Sequence, residues 1–382
     1  MVVDQATLAR TAAEFAAGRG PVAVDAERAS GFRYSQRAYL VQLRRAGAGT
    51  ALVDPIPLDG DLSELGAALT GPEWVLHAAH QDLPCLAEVG LVPTRLFDTE
   101  LAGRLAGLPR VGLGPLVEQL LGLRLEKGHG AADWSRRPLP EVWLVYAALD
   151  VEVLVVLRDV LAELLSEQGK LDWALEEFET ARTAAPPAPR AEPWRRTSGI
   201  HKIRKPRALA TVRALWIARD RLAAERDIAP GRVLPDAAIV DAAQAAPDSA
   251  RALAALPVFR GRAQRRLTNY WYAAVAEASG LDARQLPSSS PPNEGPPPVA
   301  RWADRDPAAA VRLTAAKAGV TGLAERWSIP VENLLQPELL RRLCWSPPED
   351  GDVAGALRKG AAREWQISLL TPILDEALYR SA

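Results

Sequence analysis

Acidic residues recur along the N-terminal half of the 382-residue sequence at spacings that suit metal binding. Asp25 and Glu27 are separated by one residue in the strand-like run Pro21-Val-Ala-Val-Asp25-Ala-Glu27, so both carboxylates point to one face of the strand. Two acids on one face repel each other unless a cation lies between them. Taken alone, such a pair is more often a solvated strand end or a helix cap than a metal site.

Two further segments carry candidate residues. Tyr146 and Asp150 are four apart in an apolar run with helical character, so the phenol and the carboxylate lie on one face, a turn apart. The alternative is that Asp150 and Glu152 mark the solvent face of that helix. Asp82 follows an apolar strand, where an N-cap role is the competing interpretation.

The combination is more specific than its parts. Four carboxylates from separate segments, Asp25, Glu27, Asp82 and Asp150, could hold two Mg²⁺ or Mn²⁺ ions, which prefer hard oxygen ligands and clamp a scissile phosphate. One ion would lower the pKa of a water molecule and the other would stabilise the leaving 3′ oxygen. Tyr146 could orient that water.

These residues require a sheet that brings the segments together. Three strand-like runs lie close together, near residues 21–27, 39–43 and 50–53, which predicts antiparallel hairpins. Helices and strands then alternate, with strands at 74–77 and 96–97, and helices follow at 113–121 and 140–166. This order predicts an α/β domain with helices packed on a mixed sheet.

The motifs Asp25-x-Glu27, Asp82 and Tyr146-xxx-Asp150, with the run Asp133-Trp134-Ser-Arg-Arg137-Pro-Leu, resemble the ribonuclease D family. That family is part of the tyrosine-containing branch of the DEDD exonucleases. The resemblance covers about residues 20–165 and implies a ribonuclease H-like fold. It also implies that the four acids are metal ligands and that Tyr146 positions the water. Arg28-Ala29 after Glu27 and His80-Gln81 before Asp82 depart from the family pattern, and these departures bear on substrate contacts and not on the metal ligands.

The implied activity is two-metal 3′–5′ exoribonuclease trimming of RNA with a free 3′ end, releasing nucleoside 5′-monophosphates. Structured precursors such as tRNA are the family expectation. Two alternatives remain open at this point, namely a 3′–5′ exonuclease acting on DNA and a non-catalytic RNA-binding scaffold. A ribonuclease H-like endonuclease fits the Tyr-xxx-Asp pair less well. The sequence indicates no protein partner.

Proline-rich segments predict how the chain divides. An exonuclease domain is expected at 1–183, a Pro/Arg-rich linker at 184–204, an all-α HRDC domain at 205–284, a Pro/Ser-rich linker at 285–302 and a second HRDC-like helical domain at 303–382. Leu215-Trp-Ile-Ala-Arg and Pro230-Gly-Arg-Val-Leu resemble the start of an HRDC module. Leu323-Ala-Glu-Arg-Trp resembles a more divergent copy.

Charge is distributed unevenly although the formal net charge is −1. Residues 190–232 contain 12 Lys and Arg against 4 Asp and Glu, a net +8, which leaves −9 for the rest. The basic side chains that we expect to contact phosphates are Lys202, Arg204, Lys205, Arg260 and Arg262. A solvated, arginine-rich surface is the alternative.

The cysteine content and the hydropathy of the sequence indicate in which cellular compartment the protein is expected. Cys85 and Cys344 lie far apart without metal-ligand spacing, so neither a disulfide framework nor a zinc site is indicated. The N-terminus lacks a basic region followed by an apolar core, and the longest apolar run is interrupted by Asp150 and Glu152. A cytoplasmic protein without membrane association is therefore expected.

Overall fold

A five-stranded sheet forms the centre of the N-terminal region in the computed structural model, which describes residues 1–125, 128–186, 188–289 and 295–380. The strand order is β3-β2-β1-β4-β5. β1 pairs antiparallel with β2 and parallel with β4, β2 pairs antiparallel with β3, and β4 pairs parallel with β5. The predicted mixed sheet is confirmed. The strands are β1 Arg19–Glu27, β2 Leu40–Ala46, β3 Gly49–Val53, β4 Trp74–Leu76 and β5 Leu96–Asp98.

The central strand β1 is apolar on both faces until it reaches its acidic end. Val22, Ala23 and Val24 have no exposed surface because helices cover both sides of the sheet. The covering helices are α1 Gln5–Ala17, α2 Ser63–Ala68, α3 Leu83–Glu88, α4 Thr99–Leu105, α5 Leu113–Leu121, α6 Glu141–Glu152, α7 Leu154–Glu167 and α8 Leu171–Thr183. The single helix expected at 140–166 is wrong, since the chain forms two helices that meet at Val153.

A separate helical unit follows, with its own apolar core around Trp271, Phe259 and Leu215. Trp194 and Ile203 are buried in the same core, so part of the Pro/Arg-rich segment packs with this unit. Its helices are α9 Pro206–Arg226, α10 Pro230–Val233, α11 Asp236–Ala245, α12 Ala250–Ala254, α13 Arg262–Arg266 and α14 Thr268–Ser279.

The C-terminal helices share an apolar core with the N-terminal region. Trp365 stacks on Trp173 of α8 at 5.0 Å between ring centroids, and Trp327 meets the same ring edge-on at 4.8 Å. Arg363 and the Trp365 indole both bond to the buried Glu177 carboxylate of α8. These helices are α15 Trp302–Arg305, α16 Pro307–Trp327, α17 Val331–Leu334, α18 Pro337–Trp345, α19 Val353–Lys359 and α20 Glu364–Asp375, followed by a π-helical turn at Glu376–Arg380.

Parts of four predicted segments lie outside the described residues, namely residues 126–127 of the exonuclease domain, residue 187 of the linker at 184–204, residues 290–294 of the linker at 285–302, and residues 381–382 of the C-terminal domain. Within the described ranges, the structure contains no helix with both the length and the apolar character needed to cross a bilayer.

Candidate active site

An acidic cavity of about 370 Å³ opens at the carboxyl ends of the parallel strands β1, β4 and β5. Connections at this edge of a parallel sheet converge, which is why sites form there. All five predicted catalytic residues line the cavity: Asp25, Glu27, Asp82, Tyr146 and Asp150. The structure therefore brings together residues from three separate segments of the sequence: β1, the connection after β4 and the helix α6.

The two acids of β1 point to the same face of the sheet, as their spacing predicts. Their cross-strand partners on β2 are Gln42 for Asp25 and Leu40 for Glu27. One carboxylate oxygen from each of Asp25, Glu27 and Asp150 lies within 4.8 Å of the others. Three oxygens at this separation surround a space suited to a divalent cation.

The helix α6 lies across that face of the sheet and presents Tyr146 and Asp150 to the cavity. Ala147 and Val151 are completely buried on the helix side that packs against the strands. The Tyr146 hydroxyl bonds to the Asp150 carboxylate. Glu152 points elsewhere and pairs with Arg44 at 2.8 Å. The solvent-face interpretation thus fits Glu152 and not Asp150.

Asp82 reaches the cavity on the connection that follows β4. It occupies the N-cap position of α3, yet its side chain makes no capping hydrogen bond. Its carboxylate is 8% exposed and lies 3.5 Å from the Arg28 guanidinium. The N-cap interpretation is therefore wrong, and the side chain faces the other acids instead.

A buried carboxylate holds the connection before Asp82 in place. Ala78 adopts a left-handed backbone with φ of 56°, which costs a non-glycine residue about 1 kcal/mol. Asp98, at the end of β5, accepts hydrogen bonds from the Ala78 and Ala79 amides at 3.0 and 2.8 Å. The same carboxylate accepts the Glu100 amide at 2.9 Å as the N-cap of α4. Asp98 therefore fixes a strained turn that carries Asp82 to the cavity.

Burial raises the pKa of every carboxyl group of the cluster, and repulsion between the acids raises the pKa of three of them further. Burial is the first cause for Glu27, whose pKa rises to about 9, with repulsion from Asp25, Asp150 and Asp82 adding to it. Burial and then Asp25 raise the pKa of Asp82 to about 8 and that of Asp150 to about 7. Burial also raises the pKa of Asp25. Four acids that resist ionisation together need a cation.

Two neutral side chains adjoin the acids. Burial, followed by the charge and the hydrogen bond of Asp150, raises the pKa of Tyr146, so the phenol keeps its proton. Burial lowers the pKa of His77 to about 4. Its Nδ1 lies 2.9 Å from the Thr99 hydroxyl, and the imidazole is therefore neutral at physiological pH.

Sequence reasoning did not identify Arg28, His77 and Asp98 as parts of the site. Arg28 and His77 line the cavity, and Asp98 supports it from behind. For Asp98 a signal existed, because an acid between a short strand and a helix is a typical N-cap. Arg28 and His77 carry no comparable signal, since only the fold shows that they face the acids.

The five basic residues expected to contact phosphates are exposed and lie outside the acidic cavity. They are Lys202, Arg204, Lys205, Arg260 and Arg262. None of them is among the described residues that line it. Arg260 donates a hydrogen bond to the Ala255 carbonyl at 2.9 Å. The role of these residues stays a prediction.

Three family models match successive parts of the chain. One described as a 3′-5′ exonuclease matches residues 1–166, one described as an HRDC domain matches residues 208–275, and one described as a 3′ to 5′ exonuclease C-terminal domain matches residues 295–378. The first contains the entire acidic cavity. The predicted HRDC module is thereby confirmed.

Proteins named ribonuclease D resemble most of the chain. The one from Gluconacetobacter diazotrophicus is 35% identical over 72% of this chain and 71% of its own length, and the one from Acidiphilium cryptum is 33% identical over 82% and 80%. Among solved structures, a Bifidobacterium adolescentis protein matches with a TM-score of 0.91 and 37% identity, covering 99% of this chain and 96% of its own.

Escherichia coli RNase D matches with a TM-score of 0.71 and 27% identity, covering 100% and 98%. The expected fold class, a ribonuclease H-like exonuclease domain followed by helical modules, is confirmed. The relatives, the family models and the gathered acidic residues lead to one conclusion: the chain belongs to the ribonuclease D family and is a 3′–5′ exoribonuclease.

Proposed function

We propose that Asp25, Glu27, Asp82 and Asp150 bind two divalent ions, Mg²⁺ or Mn²⁺, and that Tyr146 orients the attacking water. RNA would be shortened from its 3′ end with release of nucleoside 5′-monophosphates. The observation that carries the proposal is the approach of three carboxylates to within 4.8 Å of one another in a largely buried site.

The donor set fits divalent metal ions. All four candidate ligands offer carboxylate oxygens, which Mg²⁺ and Mn²⁺ prefer over nitrogen or sulfur. The raised pKa values of these acids show that the protein alone does not compensate their charge. Among the described residues that line the cavity, Arg28 is the only Lys or Arg. One guanidinium cannot neutralise four carboxylates.

Each side chain has a distinct task in the proposed reaction. Divalent ions, when bound, would supply Lewis-acid stabilisation of the phosphate and activate water. Tyr146 keeps its proton and can hold a water by hydrogen bonding on the side of Asp150. Arg28 lies at the wall of the cavity, where its guanidinium can leave Asp82 and meet a substrate phosphate.

The substrate class follows from the relatives. Escherichia coli RNase D is described as an exoribonuclease involved in structured RNA processing. We propose that this chain likewise trims the 3′ ends of structured RNA, with tRNA precursors as the first class to test. The two buried, unpaired cysteines suit the reducing cytoplasm, where we place the activity.

The proposed domain division remains the one expected from sequence: an exonuclease domain at 1–183, an HRDC domain at 205–284 and a second HRDC-like helical domain at 303–382. We propose that Lys202, Arg204, Lys205, Arg260 and Arg262 contact the RNA backbone. Their exposure supports this role, because a phosphate contact needs an accessible cation.

A gel assay tests the proposal directly. The substrates are single-stranded RNA and DNA of equal sequence, labelled at the 5′ end, incubated with Mg²⁺, Mn²⁺ or EDTA. A metal-dependent ladder that shortens from the 3′ end of RNA supports it. Degradation of DNA as well would broaden the substrate class. Cleavage that continues in EDTA would overturn the metal assignment.

A further inference from the structure

The loop that follows the acidic strand connects the cavity to the HRDC domain. This β1–β2 loop, residues 28–39, begins with Arg28 at the cavity wall, directly after Glu27. Its middle part then lies against the HRDC domain, around the end of α9 and the start of α10. A domain from the other half of the chain therefore touches the segment next to the catalytic acids.

Two hydrogen bonds hold the backbone of the β1–β2 loop. The Ala229 amide donates to the Phe32 carbonyl at 3.0 Å, and the Asp227 carboxylate accepts from the Ser35 amide at 2.9 Å. The second bond is charge-assisted, which makes it stronger than a neutral pair. Both bonds fix main-chain atoms, so they determine the path of the loop whatever its side chains are.

Side-chain contacts add to this attachment. Arg232 donates from Nε to the Gly31 carbonyl at 2.7 Å, and its guanidinium lies 4.0 Å from the centre of the Phe32 ring. Tyr34 donates to the Asp220 carboxylate at 3.1 Å, and its ring packs against the HRDC core. We call Asp220, Asp227, Ala229 and Arg232 the HRDC clamp.

The inner side of the same loop packs with the residues around Tyr146. Ala29 is 1% exposed and belongs to a small apolar cluster with Trp134 and Ala147. Phe32 and Tyr146 are both partly buried against that cluster. A contiguous path of contacts therefore runs from Arg232 through Phe32 to the residues that hold Tyr146 in place.

We propose that the HRDC clamp positions the β1–β2 loop, and with it Arg28 and Tyr146, for RNA cleavage. Arg232 is then a positioning residue that acts through Phe32, and the HRDC domain supports the chemical step in addition to any contact with RNA. This inference rests on the proposed role of Tyr146. Its distinctive consequence is an effect on the cleavage rate at saturating RNA and not on RNA affinity.

The decisive comparison is Arg232→Ala against Arg251→Ala in the full-length chain. Both substitutions remove one exposed arginine from the HRDC domain, but only Arg232 is part of the clamp. With 5′-labelled single-stranded RNA and Mg²⁺, Arg232→Ala should lower the single-turnover rate about five- to tenfold, through loss of a charge-assisted hydrogen bond and a cation–π contact. The RNA Kd from fluorescence anisotropy should stay within about twofold. Arg251→Ala should leave the rate unchanged.

Three further measurements separate positioning from other roles. Arg232→Lys keeps a cation over the ring and should restore part of the rate. Tyr34→Phe removes the hydrogen bond to Asp220 without changing the charge, and it should lower the rate while the RNA Kd stays unchanged. Hydrogen exchange at the Ser35 and Ala229 amides should become faster in Arg232→Ala, because both bonds lie in the clamp.

The outcomes distinguish this proposal from the assignment of the site. A wild-type rate for Arg232→Ala at saturating RNA, or a loss seen only in Kd, would overturn the clamp. If Tyr146→Phe also retained the wild-type rate, the proposed function would fail instead. If Tyr146→Phe cleaves RNA slowly while Arg232→Ala and Tyr34→Phe cleave at the wild-type rate, the clamp proposal fails and the assignment of the active site stands.

Discussion

Divalent metal binding should release protons from the acidic cavity. With pKa values of about 9 for Glu27 and about 8 for Asp82, both carboxyl groups are mainly protonated near pH 7.5 in the metal-free protein. Asp150, with a pKa of about 7, is mainly ionised. Because metal ligands must be deprotonated, saturation with Mg²⁺ near pH 7.5 should release about two protons per molecule from Glu27, Asp82 and Asp150, and more if Asp25, whose pKa is also raised, holds its proton.

The sign of the pH dependence follows from the same values. The logarithm of the apparent Mg²⁺ affinity should rise by about two or more for each unit of pH near 7.5, and the slope should fall at higher pH as the carboxyl groups ionise without metal. Calorimetric titration in buffers of different ionisation enthalpy measures the number of protons directly. Glu27→Gln should lower that number by about one. The control is Glu141→Gln, an exposed acid at the start of α6.

A proton release near zero between pH 6.5 and 8.5 would contradict the raised pKa values of the acidic cluster. It would mean that the carboxylates are already ionised without metal, contrary to their burial and to their mutual repulsion. Release that persisted unchanged in Glu27→Gln would instead place the protons on other groups. Tight Mg²⁺ binding without this pH dependence would not support the raised pKa values.

Other substitutions test separate parts of the molecule. Asp25→Asn should abolish RNA trimming. It should also raise the Tm of the metal-free protein at pH 8, because a carboxyl group with a raised pKa destabilises the fold when it ionises. A lower Tm would contradict this. Tyr146→Phe should lower the single-turnover rate about 100-fold and change Mg²⁺ affinity little, as calorimetry can check. Trp365→Ala should cost about 3 kcal/mol in urea unfolding because its ring is buried against the exonuclease domain. Lys202→Ala with Lys205→Ala should weaken the salt dependence of RNA binding: if each lysine contacts one phosphate of single-stranded RNA, the slope of log K against log salt should fall by about 1.4.

Three of the four metal-binding candidates were predictable from sequence because their motifs have a local period. Asp25 and Glu27 share a strand face at a spacing of two, and Tyr146 and Asp150 share a helix face at a spacing of four. The structure places these side chains in one cavity, as their combination predicts. The apolar residues that precede Asp25 are typical of a central strand, and β1 is the middle strand of the sheet.

The break between α6 and α7 was not predictable in the same way. Residues 140–166 contain no glycine, and no proline after Pro140, so the pattern favours a single helix. The chain nevertheless forms two helices that meet at Val153. Val151, Leu154 and Leu157, on the two sides of this break, are all buried in the main apolar core, so tertiary packing holds both helices in place. Periodicity within a segment carries no information about such a break.

Contacts between segments that are distant in sequence were not predictable either. They show that the helical modules also support the exonuclease domain. Arg232 lies 200 positions from Phe32, and Arg363 lies 186 positions from Glu177, with no local signal linking either pair. Both helical units nevertheless pack on the exonuclease domain, one at the β1–β2 loop and the other at α8. Because these contacts bury aromatic rings or a carboxylate, removing a module should disturb the nuclease itself. Truncation experiments that show lost activity would therefore not by themselves demonstrate an RNA-binding role.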